Sequence, residues 1–471
     1  MPSSAQSAID TNMDRGLALG LGVAGAAAVG VACSLSGLSS AVSWTAATTV
    51  LCATWWIFEP IPIPATSLVP FALLPLVGVL DHERVAASYG HTLILLLLGG
   101  FILSTAMERS GAHRRLALGL ARLLQSRAGH TTPRRLVLGF MLAAAFASMW
   151  ISNAATTLVL VPIALAALER TRDEGTAAAV LLGVCYAASI GGLGTPIGTP
   201  PNLLFMASYA QVSGSEITFL DWMRIGVPVV VLLVPAAFLL LTRRLPSAPL
   251  PGLVPLGPWT TAERRVLFVF LLTALAWVTR AAPSGGWQGL LGLETPGDAT
   301  VALAAVVALF LLPDGRGERL LDWKSATAIP WGILLLFGGG LALAEAFHSS
   351  GLSALIGARV AALAGVPVLF LIGAVCLAVT FLTEVTSNTA TVALLMPLLA
   401  STATSAGLDP AHLMLPAALS GSCAFMLPVA TAPNAIVFGT GRVSTAHMAR
   451  TGFWLNLVGV LVITVVCWQL L

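Results

Sequence analysis

The feature that most constrains this chain is a succession of apolar blocks, each about 17–25 residues long, running from near residue 16 to the C-terminal Leu471. A helix rises about 1.5 Å per residue, so roughly 20 apolar residues cross the hydrocarbon of a bilayer. Charged residues are 9% of the sequence, whereas a soluble domain carries about 25%. Too little charge is left to cover a water-facing surface. The reading is an all-α polytopic membrane protein, lodged in the lipid bilayer.

The blocks fall at 16–35, 44–58, 63–80, 91–108, 136–168, 178–210, 225–242, 264–280, 299–313, 327–346, 366–402, 411–440 and 451–471. Those at 136–168 and 366–402 are too long for one helix and carry polar tips, so each is read as a re-entrant hairpin. Eleven transmembrane helices plus two hairpins remain. The first block lacks a basic lead-in directly ahead of a short apolar run, so it is read as an uncleaved span.

The basic residues test this count independently. With the N-terminus cytoplasmic, 19 of the 23 Lys and Arg fall inside. They run from Arg15 through the 109–135 segment, Arg170 and Arg172, then 243–265, 316–324, and end at Arg442 and Arg450. Only Arg84, Arg224, Arg280 and Arg359 fall outside. This places the C-terminus outside and predicts a multi-pass protein of the cell (inner) membrane.

The first hairpin then opens inward and the second dips from outside. Such opposed hairpins are a mark of inverted-topology repeats, common in secondary transporters. The sequence carries the repeat directly. Ser152-Asn153-Ala154-Ala155-Thr156 matches Ser387-Asn388-Thr389-Ala390-Thr391, each followed by a proline, Pro162 and Pro397. Farther on, Thr199-Pro200-Pro201-Asn202 matches Thr431-Ala432-Pro433-Asn434. The division is a tail and first helix at 1–43, a first repeat at 44–242, a cytoplasmic linker at 243–263, and a second repeat at 264–471.

Backbone that turns at membrane depth must line protein or a cavity, because lipid offers it no hydrogen bonds. Prolines in the Gly191–Asn202 stretch free carbonyls, and glycines let the backbone approach a ligand. Carbonyls, hydroxyls and Asn oxygens make a hard-oxygen shell for a small cation. N–H groups, Asn amides and Thr hydroxyls suit an anion. Glu384, three residues before Ser387, is read either as a cation or proton partner or as a group that orients its tip.

Other chemistry is excluded or left bland. The six cysteines form no C-x-x-C pair, the histidines form no HExxH, and no basic stripe points to nucleic acid. No cofactor is indicated, and the chain is not read as an enzyme.

Taken in order, Glu59-Pro60-Ile61-Pro62, Gly99-Gly100-Phe101-Ile102-Leu103, Ser148-Met149-Trp150-Ile151-Ser152-Asn153, Thr386-Ser387-Asn388-Thr389-Ala390-Thr391 and Leu427-Pro428-Val429-Ala430-Thr431 resemble the divalent anion:sodium symporter family. These are the dicarboxylate, citrate and sulfate carriers, and the resemblance runs from about 44 to 471. It implies sodium-coupled symport of a divalent anion into the cell, a homodimer, and an elevator-type movement. It places one sodium site at Ser148, Ser152, Asn153 and the Gly198 backbone, and a second at Thr383, Asn388 and backbone around Ala430. The anion would lie among Asn153, Thr199, Asn388, Thr389 and Thr431. Two positions depart from the family pattern: Ala154 replaces a tip threonine, and Ala432 replaces the first proline of the second break. The alternatives are a sodium-independent anion exchanger of the same fold, a proton-coupled carrier using Glu384, and a non-transporting receptor or scaffold.

Overall fold

The computed structural model describes residues 15–123, 130–168, 173–246, 250–251, 257–282, 285–293, 295–360 and 366–471. The tail before Arg15, Arg127, Arg170, Arg172 and residues 247–249 and 252–256 of the linker lie outside the described residues.

The first half begins with α1 (Arg15–Leu35) and α2 (Ser40–Phe58), followed by the short α3 (Ile63–Thr66) and α4 (Val69–Leu76). Then come α5 (His82–Tyr89), α6 (Thr92–Ser110) and α7 (Ala112–Leu123). The first hairpin is α8 (Pro133–Ser148) and α9 (Asn153–Leu168), and α10 (Glu174–Gly191), α11 (Pro200–Ser213) and α12 (Phe219–Thr242) complete this half.

The second half runs α13 (Thr261–Val278), α14 (Gly286–Leu291), α15 (Asp298–Leu311), α16 (Trp323–Ala326), α17 (Trp331–Ser350) and α18 (Leu352–Val360). Its hairpin is α19 (Val368–Leu382) and α20 (Asn388–Ser405), followed by α21 (Ala411–Ser420), α22 (Ala432–Phe438) and α23 (Thr445–Leu470). The strands β1 (His130–Thr131) and β2 (Leu250–Pro251) pair antiparallel, pinning the linker to the start of the first hairpin.

Several helix starts follow a polar residue ahead of the apolar run. Asp173 accepts from the Thr176 N–H at the head of α10, and capping boxes at Thr218 and Thr260 open α12 and α13. Each such cap satisfies an N–H that would otherwise be orphaned and contributes about 1 kcal/mol. Among the described residues, seven helical stretches are long and apolar enough to cross a membrane, and five further apolar stretches are shorter. The long predicted blocks resolve into pairs. Residues 178–210 become α10 and α11 around a break, and 411–440 become α21 and α22 around another.

Burial grades sharply across the bundle. Every residue of α10 from Thr176 to Gly191 is buried, as expected of a helix apolar on all sides. By contrast α1 packs chiefly on α2, burying only Ala18 and Gly22 along its length. Two helices absent from the sequence reading, α7 and α18, follow α6 and α17 after one residue each, Gly111 and Gly351, at φ 78° and 81°. Arg109 pairs with Glu318, at 2.8 Å, and with Asp322, and Arg115 pairs with Glu263 at 2.9 Å while lying over Trp259.

Candidate functional site

Each hairpin reverses through the same small lock. α8 ends at Ser148, whose Oγ donates to Asn153 Oδ1 at 2.5 Å, five residues on. In the second half, Thr383 Oγ1 lies 2.6 Å from Asn388 Oδ1 and 3.0 Å from the Gly421 carbonyl, both acceptors for its one hydrogen. Both hydroxyl residues are fully buried. Ser152 and Ser387 do a different job: each caps its outgoing helix, accepting from the N–H of Ala155 and Ala390. Ser152 is exposed, and its hydroxyl is spent on that cap rather than on the Ser148–Asn153 cluster.

The two breaks repeat a second device. Asn202 Nδ2 donates to the carbonyls of Gly192 (2.9 Å) and Thr195 (2.8 Å), folding the unwound stretch back on itself. Asn434 Nδ2 does the same to Ala424 (3.1 Å) and Leu427 (2.8 Å). Both asparagines are fully buried, so these bonds satisfy carbonyls that the breaks free from their helices. The acceptors stand ten and seven residues before the asparagine in both halves. Identical spacing at both ends makes this one motif used twice.

At the first break, backbone and tip meet. A Cβ placed on Gly192 would lie 2.7 Å from Asn153 Oδ1 and 3.2 Å from the Gly198 carbonyl oxygen. A Cβ on Gly198 would collide with the Gly192 carbonyl. Only glycine lets these strands of backbone approach so closely. Ser148, Asn153, Gly192 and Gly198 thus present neutral oxygens within one side chain's width. Thr199 stands buried at the N-cap position of α11, its side chain making no cap bond.

The second break is looser. Thr431 caps α22, accepting from the Asn434 N–H at 3.3 Å. Ala430 donates its N–H to the Leu427 carbonyl, in a turn that is part exposed. Thr389 stands half-buried in the first turn of α20. Here a carboxylate replaces packing: Glu384 accepts from the N–H groups of Phe425 (2.7 Å), Met426 (2.9 Å) and Leu427 (3.1 Å), and from Asn456 Nδ2 (2.7 Å). This is the orienting role of the two weighed for Glu384. The first half has Met149 at that position, and its carbonyl accepts from the Thr195 hydroxyl.

Each break continues into a helix lying on the opposite half's hairpin, α11 on α20 and α22 on α9. The crossing interlocks the two tips and the two breaks in one packed body. Residues that sequence reasoning missed hold this body from outside. Trp222 Nε1 donates to the Leu193 carbonyl at 2.9 Å, and Tyr186 donates to the Met448 carbonyl at 3.3 Å. A Cβ on Gly226 would strike the Leu193 carbonyl, and one on Gly452 would strike that of Phe425. Among the described residues no group of three His, Cys, Asp or Glu gathers as a metal site.

Over residues 21–471 the chain matches the family described as the sodium:sulfate symporter transmembrane region. The chain belongs to this family. It is similar to the sodium-dependent dicarboxylate transporter SdcS of Staphylococcus saprophyticus, 42% identical over 449 residues, covering 90% of this chain and 85% of that protein. SdcS of Staphylococcus aureus is 40% identical over 450 residues with the same coverage. Among solved structures, the YdaH transporter of Alcanivorax borkumensis matches with a TM-score of 0.60 at 16% identity, covering 89% of this chain and 97% of that one. At that identity the likeness speaks for the fold. The protein is a multi-pass membrane transporter of the sodium symporter type and not an enzyme.

Proposed function

We propose that the protein carries a C4-type dicarboxylate into the cell together with sodium, binding both at the paired tips and breaks. The observation that carries this reading is the repeated Asn pair, a tip Asn locked by a buried hydroxyl beside a break folded by a second Asn. Relatives 40–42% identical are named as sodium-dependent dicarboxylate transporters, which supports the choice of anion.

In this reading the first cation takes Asn153 Oδ1, Ser148 Oγ and the freed carbonyls near Gly192 and Gly198, with Ser152 supplying backbone oxygen at most. The second takes Asn388 Oδ1, Thr383 Oγ1 and backbone between Gly421 and Ala430. The Ser148 and Thr383 hydroxyls, which now donate to the Asn oxygens, rotate to turn a lone pair toward the ion. The anion is held between, by the Asn153 and Asn388 amides and the Thr199, Thr389 and Thr431 hydroxyls. Two positive charges convert a site of neutral dipoles into one that attracts a dianion, and cancel the charge crossing the low-dielectric interior.

The interlocked body of α8–α11 and α19–α22 is the moving part of an elevator-type cycle, and α2–α6 with α13–α17 form the framework. The reading keeps eleven spans, inverted repeats at 44–242 and 264–471, a homodimer, and a cytoplasmic N-terminus with an external C-terminus. The test is uptake of labelled succinate, citrate and sulfate into proteoliposomes. Succinate accumulation driven by an inward sodium gradient, abolished when choline replaces sodium, is expected. Accumulation driven by internal dicarboxylate alone, indifferent to sodium, overturns the coupling in favour of exchange.

A further inference from the structure

At the end of the bundle where α12 finishes and α23 begins, a cavity of about 240 Å³ opens between these helices and the head of α10. Arg243, Arg244, His447 and Arg450 line it, with Leu241 and Trp454 on the apolar side. All three arginines are exposed, and none forms an ion pair among the described residues. Five other arginines, Arg84, Arg109, Arg115, Arg224 and Arg280, by contrast meet carboxylates. The adjacent acid Asp173 is occupied in capping, accepting from both the amide and the hydroxyl of Thr176.

The depth of this cluster is set by helix length. From Arg450 to the end of α23 at Leu470 the rise is about 30 Å at 1.5 Å per residue, one hydrocarbon thickness. Arg243 stands just past the end of α12, which carries exposed Val231, Leu232 and Leu239 along its flank. The arginines therefore sit where apolar outer surface gives way to headgroups, and half-exposed Trp454 marks the same level.

We propose that this cavity binds the phosphate of an anionic glycerophospholipid, with Arg243, Arg244 and Arg450 on the phosphate and acyl chains along the outer face of α12 and α23. Guanidinium groups match phosphate oxygens in paired hydrogen bonds. The apolar wall beside them distinguishes a lipid from a free anion. The site is separate from the tips and breaks, so it holds whichever anion is carried. The bound lipid would bridge α12 and α23, the helices whose Gly226 and Gly452 contact the two breaks.

The test is native mass spectrometry on the full-length protein, titrated with phosphatidylglycerol or phosphatidylcholine. One retained phosphatidylglycerol is expected, weakened about a hundredfold in R243Q/R244Q/R450Q, since each headgroup-level arginine contributes about fivefold. Phosphatidylcholine retention should be weak and unchanged. The single variant R450Q, with about a fivefold loss, carries the test if the triple variant does not fold, and Arg264→Gln on α13 should have no effect. Equal retention of phosphatidylglycerol by unchanged and variant protein overturns the proposal. So does displacement of the lipid by millimolar inorganic phosphate, which would make this a free-anion site.

Discussion

The two breaks fold the same way and are fastened by opposite chemistry. In the first, everything from Gly191 to Thr199 is buried, Asn202 and the Trp222 indole donate to its carbonyls, and its own Thr195 hydroxyl donates to the Met149 carbonyl at the tip. In the second, Val429 and Ala432 are exposed, and a carboxylate gathers three N–H groups of the same stretch. One break is a packed object, the other a tethered one. A packed break keeps its shape only while its neighbours stay in place. A tethered break keeps it through one residue, a carboxylate with no counterpart in the first half. The repeat therefore keeps the Asn-held form of tip and break while leaving each half free in how it secures that form.

The strongest way to break this contrast is to cut the tether. Glu384→Ala orphans three amide N–H groups and the Asn456 amide, and should cost about 3–5 kcal/mol, at about 1 kcal/mol or more for each group left unsatisfied, seen as a large fall in unfolding temperature. Met149→Ala, its counterpart, should cost less than half as much; equal losses would mean the halves are secured alike. Next in size, Asn202→Ala and Asn434→Ala each free two buried carbonyls, for about 2–3 kcal/mol. Both should weaken sodium-dependent uptake. Asn434→Ala also strips Cys185 of the acceptor it reaches at 2.8 Å.

Ala154→Thr sharpens the contrast from the other side, restoring to the first tip the hydroxyl that Thr389 supplies to the second. It should tighten dicarboxylate binding by about tenfold, the value of one hydrogen bond to a charged group. Unchanged affinity would place the anion away from that tip. Smallest is Trp222→Phe, which removes one donor from the Leu193 carbonyl, at a cost of about 1 kcal/mol. A small rise in the sodium concentration for half-maximal uptake should accompany it.

Much of the site was legible because polar residues in hydrocarbon-length blocks have few innocent explanations. Asn153, Asn388 and the two Pro-Asn breaks stood out for that reason, as did their order. What stayed hidden was reached across the fold. Trp222 and Tyr186 look like ordinary apolar-helix residues, and Asn456, polar within the 451–471 block, carries no sign of which group it meets, until their partners, dozens to hundreds of positions away, arrive beside them. The division of labour at each tip was hidden as well, since Ser148 and Ser152 read alike in sequence, yet one locks and the other caps. The helices α7 and α18 were missed for a different reason. They are short, and α7 spends Arg114, Arg115 and Arg122 on its polar face, which reads as a charged loop.

Those two helices are where the strain of any large displacement would have to go. Each hangs from the helix before it by a single residue in a backbone conformation that only glycine enters without strain, so the junction has no slack to pay out. In the elevator-type cycle proposed above, a hairpin that shifts relative to α6 or α17 would turn about Gly111 or Gly351 or draw the attached helix along, so the two glycines would serve as one-residue axles, one on each half.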